Sequence, residues 1–199
     1  MACARGRLTA QIMPDDDLDA RLAARRGTGR YVSLVRDPAL GRPPLGGVIE
    51  AVGESLVLVQ EVRDFHRRGF VVVRRDDVVE VAEGDVERLF SRMIDAEGVR
   101  DELLPAPALD LDDWSACLRD LKRTVSALVL ECESQDPPTF YLGRLTAVTR
   151  EAASLRYITV EGVLEREAVE VPLDEVTLVS FDDRYSRFFG RHASDEGHH

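Results

Sequence analysis

Residues 30–82 alternate short apolar runs with charged or glycine-bearing breaks: RYVSLVRD, GVIEAVG, SLVLVQEV, GFVVVRR and DVVEVA. Valine, isoleucine, threonine and tyrosine dominate these runs, and their length and spacing predict five short β-strands. A second group follows within residues 124–181: TVSALVLECE, GRLTAVT, SLRYITVEG, EAVEVPL and EVTLVSF. Around these groups the apolar period lengthens to that of a helix. DVERLFSRMIDAEG places Val86, Leu89, Phe90, Met93 and Ile94 on one face, with Gly98 positioned to stop the helix. DLDDWSACLRDLKR places Leu111, Trp114, Leu118 and Leu121 together, with Asp110 as N-cap and Asp113 near the positive end of the helix dipole. DDDLDARLAARR precedes the first strand group as that helix precedes the second. The predicted unit is therefore a helix followed by five strands, occurring twice.

The two groups align. VVVRRDDVVEV (71–81) matches VEVPLDEVTLV (169–179) at an offset of 98, GVIEAV (47–52) matches GRLTAV (143–148) at 96, and SLVLVQ (55–60) matches SLRYIT (154–159) at 99. Phe90 aligns with Phe188. Their order and spacing point to an internal duplication. The alignment sets Val72 against Glu170 and Val57 against Arg156. AVEV alternates, so Val169 and Val171 face a core and Glu170 faces out; Val72 then occupies the outward position in the first copy. Val57 and Val72 are the expected interface residues. They are expected to be covered by the helix of residues 85–95, by the second copy or by a partner.

Five short strands in so short a span leave edges that curling into a small barrel removes. The charged stretch Val73-Arg74-Arg75-Asp76-Asp77-Val78 interrupts an otherwise apolar run, and its aspartates suit a tight corner. A helix plus five strands with such an elbow before the last strand resembles the Sm-like (Lsm) small barrel, whose elbow reads approximately apolar-Arg-Gly-Asp-Asn-apolar. The resemblance implies a mainly β fold with flanking α-helices, in which two duplicated Sm-like (SH3-like) small barrels are joined by a helical linker. It extends to few of the family's RNA-contacting positions. Arg74 matches one; Arg75 replaces the elbow glycine, Pro172-Leu173 replaces Arg-Gly in the second copy, and Gly53, Thr149, Ser55 and Ser154 stand at the remaining positions.

Composition adjusts the picture. A formal charge of −11 over 199 residues opposes general nucleic-acid binding, which depends on cationic surface. An arginine group, Arg67, Arg68, Arg74 and Arg75, remains the expected contact for any anion or RNA. The three cysteines, Cys3, Cys117 and Cys132, form no CxxC pair, which points to reduced thiols in a cytoplasmic setting. No apolar run is long enough to span a membrane. Asp15, Asp17 and Asp19 alternate as in a calcium loop, but Ala20 and Arg26 occupy the positions that need Gly and Glu. His66 is expected in a hairpin loop and His192, His198 and His199 in a tail. No catalytic motif occurs, and no catalytic residue, cofactor or metal is expected. The expected organisation is a flexible N-terminus (1–14), a first helix, barrel and following helix (15–96), a linker (97–109), a second helix and barrel (110–190) and a flexible tail (191–199). The expected function is a non-enzymatic protein-interaction or scaffold module with a protein partner or a second copy. The alternative is an RNA- or nucleotide-binding protein that uses the first-barrel arginines.

Overall fold

The computed structural model describes residues 15–195; the N-terminal stretch with Cys3 and the final residues with His198 and His199 lie outside them. The protein is mainly β with flanking helices. The first half runs α1 (Asp15–Arg25), β1 (Tyr31–Arg36), β2 (Leu45–Val52), β3 (Leu56–Arg63), β4 (His66–Arg74), β5 (Val78–Ala82) and α2 (Asp85–Ala96). The second runs α3 (Trp114–Thr124), β6 (Leu128–Cys132), β7 (Thr139–Val148), β8 (Ala152–Ile158), β9 (Leu164–Pro172), β10 (Leu178–Phe181) and α4 (Arg184–His192). All ten strands join one antiparallel sheet in the order β5-β1-β2-β3-β4-β10-β6-β7-β8-β9. The halves meet where β10 pairs with β4, Val179 opposite Val72 and Phe181 opposite Phe70.

The halves also match in register. Gly47 pairs with Glu61 and Gly143 with Tyr157, and each β2-type strand then bulges two residues later, after Ile49 and after Leu145. A side chain at Gly47 would strike the Gln60 carbonyl and Val59; at Gly143 it would strike the Arg156 carbonyl and Leu155. Glycine is thus required at both places by close strand approach. This register corrects the alignment of the third strands. Val59 corresponds to Leu155 and Val57 to Ala153, so Arg156 is not the counterpart of Val57. Ser55 likewise corresponds to Glu151, because the turns from Gly53 to Leu56 and from Thr149 to Ala152 close with the same hydrogen bond. The pairings of Val72 with Leu58 and of Glu170 with Ser154 keep Val72 and Glu170 equivalent.

Val72 faces away from its own half's core, as expected, but not toward solvent. Val72 is 0% exposed and packs with Leu56, Leu58 and Phe70 among Leu118, Leu121, Leu130, Val179 and Phe181 of the second half. Val57, also 0% exposed, packs with Val59, Val71 and Val73 around Leu22 of α1. The β3–β4 pair is therefore buried on both faces, which explains its unbroken valine runs. The expectation that α2 covers the Val72 face fails, because α2 packs on β1 and the second half takes that place. Phe70 and Phe181 stack across the seam at 5.5 Å. Such a pair contributes about 1 kcal/mol beyond its burial.

Four local expectations shift. The third helix starts at Trp114 with Asp113 as its cap, accepting from Ala116 N at 2.8 Å, and not at Asp110. The Leu111 carbonyl instead accepts from Leu56 N at 3.1 Å, which ties that segment to the start of β3. The β3–β4 hairpin turns on Asp64 and Phe65, both at positive φ, so His66 lies in β4. On α2 only Ile94 is buried and Phe90 stacks inward on Tyr31 and Phe65; Val86, Leu89 and Met93 face solvent. The stretch 97–109 includes a 3₁₀ turn whose Val99 is buried with Val62 and Ile94.

Candidate functional site

The strongest concentration of unsatisfied surface chemistry lies on α4 and the adjoining start of β4. Gly69 lets β4 approach the chain reversal before α4: a side chain there would meet Asp183 N at 2.5 Å and the Phe181 carbonyl at 2.6 Å. Asp182 takes positive φ at that corner, and Asp183 caps α4 by accepting from Ser186 N at 2.9 Å. At the far end Gly190 packs closely on the approach to β6: a side chain there would meet Ser126 Oγ at 2.6 Å and Ala127 Cβ at 3.0 Å. These contacts fix α4 from the second half beside the hairpin of the first.

Counted from the caps Gly84 and Asp183, Phe90 corresponds to Phe189, not to Phe188. Phe189 is the aromatic that packs inward, with Ala127 and Ile158. Phe188 is left outside, 46% exposed, beside Tyr185 at 49%. Arg184 and Arg191 lie over the Phe188 ring, 5.5 and 5.1 Å from its centre. Arg67, Arg68, Arg184, Arg187 and Arg191 surround one concavity of about 340 Å³, with Asp182 as its acidic member. Arg68 pairs with Asp64 at 3.6 Å; the other four have no carboxylate partner among the described residues. Arg67 Nη1 is buried without a hydrogen-bond partner. A neighbouring concavity of about 560 Å³ is lined by Phe70, Phe189 and Tyr185, with Arg68, Arg184, Glu61 and Asp183 also reaching it. Burial pushes the Glu61 carboxyl above its ordinary value; Arg63 and Arg68 oppose the rise and Asp183 and Asp64 add to it.

The sequence-predicted arginines divide into two pairs. Arg67 and Arg68 join the α4 group. Arg74 instead donates to the carbonyls of Leu173 and Asp174, tying the two elbows together. Arg75 donates to the Glu54 carbonyl at 3.1 Å and pairs with Asp19 of α1. Both are consumed by internal contacts. Val57 and Val72 are interior residues, Val72 at the junction of the halves, and neither reaches an external surface. Sequence reading missed Arg184, Arg187, Arg191 and Phe188. Their only signal was RYSRFFGRH itself, whose arginines recur every three to four residues.

The remaining candidates are structural. Asp17 pairs with Arg21 along α1 at 3.4 Å. Cys117 and Cys132 are buried free thiols. Burial, with Asp120, Asp110 and Asp113 nearby, pushes Cys117 up to about 12, so it stays protonated at neutral pH. Among the described residues no group of His, Cys, Asp or Glu is placed to hold a metal, and no helix is long and apolar enough to cross a membrane. No family model, curated protein or solved structure matches this chain.

Proposed function

We propose that this chain is a non-enzymatic protein-interaction module built from two Sm-like units that arose by internal duplication. Matched element order, shared bulges and equivalent glycines support the duplication. The elbows support the Sm-like reading, as does the curl of the sheet. Arg36 at the end of β1 and Glu133 just past β6 touch although four strands separate β1 from β6 in the sheet. On a flat sheet those strands would lie about 24 Å apart.

The observation that carries the interaction reading is the placement of exposed apolar groups. Val86, Leu89 and Met93 of α2 and Tyr185 and Phe188 of α4 are large, apolar and open to solvent. Counted from the caps, Tyr185 stands where Val86 stands and Phe188 where Leu89 stands. Each half thus presents the same face of the same helix. A stripe spaced by three and four residues is the form in which a helix offers anchors to a partner protein. Capture from the native source with wild-type protein and with Leu89→Asp/Phe188→Asp tests this. Proteins retained by the wild type and lost by the variant are the expected result; identical retention contradicts the proposal.

A second reading, RNA or nucleotide binding through the arginine group, is favoured by Arg67 and Arg68 lying beside the α4 arginines. Nucleic acid recovered by wild type, released steeply by salt and absent with Arg187→Glu, would establish it.

A further inference from the structure

We infer that the α4 surface receives an acidic, amphipathic segment of a partner protein, with an apolar side chain in the Phe70–Phe189–Tyr185 hollow and carboxylates on the surrounding arginines. The inference rests on the interaction reading and names the chemistry of the partner at one of its two helices.

Charge complementarity is the first argument. Four arginines without carboxylate partners and a fifth with one long pairing converge on one spot of a chain whose formal charge is −11. Clustered like charges repel one another, and within the described part of the chain only Asp64, on Arg68, and Asp182, in the same concavity, offset five arginines. Arginine's planar fork suits carboxylates, and its stacking on Phe188 holds two of the forks in place before binding. Shape is the second argument. The larger concavity adjoins the arginine group through Arg68, Arg184 and Phe188. Its apolar walls take a phenylalanine or leucine side chain, while the rim takes charge.

A nucleic-acid strand fits less well. Glu61 and Asp183 line the larger concavity and Asp182 the smaller, so a run of phosphates spanning both meets a carboxylate in each. The ring of Phe188 has two guanidinium groups against it, which limits base stacking. A peptide adapts by spacing its acids where the arginines are and placing apolar groups elsewhere.

The probe is a short fluorescein-labelled peptide of aspartate and glutamate carrying phenylalanine and leucine one helical turn apart, followed by anisotropy with the full chain. Saturable binding is expected, weakened at least about tenfold in Phe188→Ser and in Arg187→Glu/Arg191→Glu and unchanged in Leu89→Asp. All the substituted side chains are exposed, and circular dichroism checks that each variant folds. A peptide with serine at the apolar positions should bind at least about tenfold more weakly than the parent. Equal binding of the two peptides overturns the inference, as does tighter binding of oligothymidylate. Wild-type self-association that excludes the peptide and is lost in Phe188→Ser overturns it in favour of a second copy. If no peptide binds while native capture still depends on Leu89, this inference fails and the interaction reading stands.

Discussion

Arg36 and Glu133 form a bidentate ion pair between the two halves, at 2.5 and 2.8 Å. Both side chains are almost fully buried. Thr177 donates to the same carboxylate at 2.8 Å, and Arg42 reaches it at 3.0 Å. Burial alone would raise the Glu133 carboxyl, but Arg36, Thr177 and Arg42 together hold it below the ordinary glutamate value. A depressed acid stabilises the fold above its unfolded value of 4.5, and that stability is lost as pH falls through the folded value. Glu133→Ala should cost about 3–5 kcal/mol at neutral pH, because it strands a buried guanidinium. Arg36→Met/Glu133→Leu should cost much less. Urea unfolding of the three proteins at neutral and acid pH checks both statements, and the deficit of Glu133→Ala should narrow as acid removes the charge from wild-type Glu133.

Val72→Glu places a carboxylate between two packed halves. It should destabilise by about 3 kcal/mol or more, while Glu170→Val at the equivalent exposed strand position should stay within about 0.5 kcal/mol. Thermal unfolding of the two variants measures the contrast.

Asp77 is half-buried at the elbow, and its Oδ2 has no hydrogen-bond partner. Burial raises its carboxyl; Arg74 and Arg36 oppose this, and Glu133 and Asp37 add to it. A raised acid favours the fold while protonated, and that contribution is lost as pH rises through the folded value. Asp77→Asn should therefore raise Tm at neutral pH relative to wild type. The gain should vanish below the ordinary aspartate value of 3.8.

Gly69→Ala drives a methyl group into the backbone at Phe181 and Asp183. The expected loss is about 1–3 kcal/mol. Because α4 must shift, the near-ultraviolet signal of Tyr185 should change even where the protein remains folded.

The repeated helix and strands, the elbow and the glycines at 47 and 143 were legible in sequence, because period, turn chemistry and close backbone approach are local properties. Val72 was legible only halfway. Alternation showed that it turns from its own core, but it could not show β10 arriving to cover it, since that pairing joins residues far apart in the chain. The same limit hid the site. Arg67 and Arg68 on one hairpin and Arg184, Arg187 and Arg191 on a distant helix become neighbours only through the seam. The displaced third-strand alignment had a different origin: serine-leucine pairs coincide at 55–56 and 154–155, while the strands are registered by Gly47 and Gly143.

The β4–β10 seam makes the halves one body and brings the β4 arginines to α4, so amide hydrogen exchange across it is the most direct test. Residues 178–181 pair on both sides, with β4 and with β6, and should exchange as slowly as the most protected amides of β3. Residues on the outer side of β9, the free end of the sheet, should exchange much faster. Fast exchange at alternate amides of 178–181, at the rate of β9, would show that the seam does not form in solution and would contradict both the fused architecture and the surface built on it.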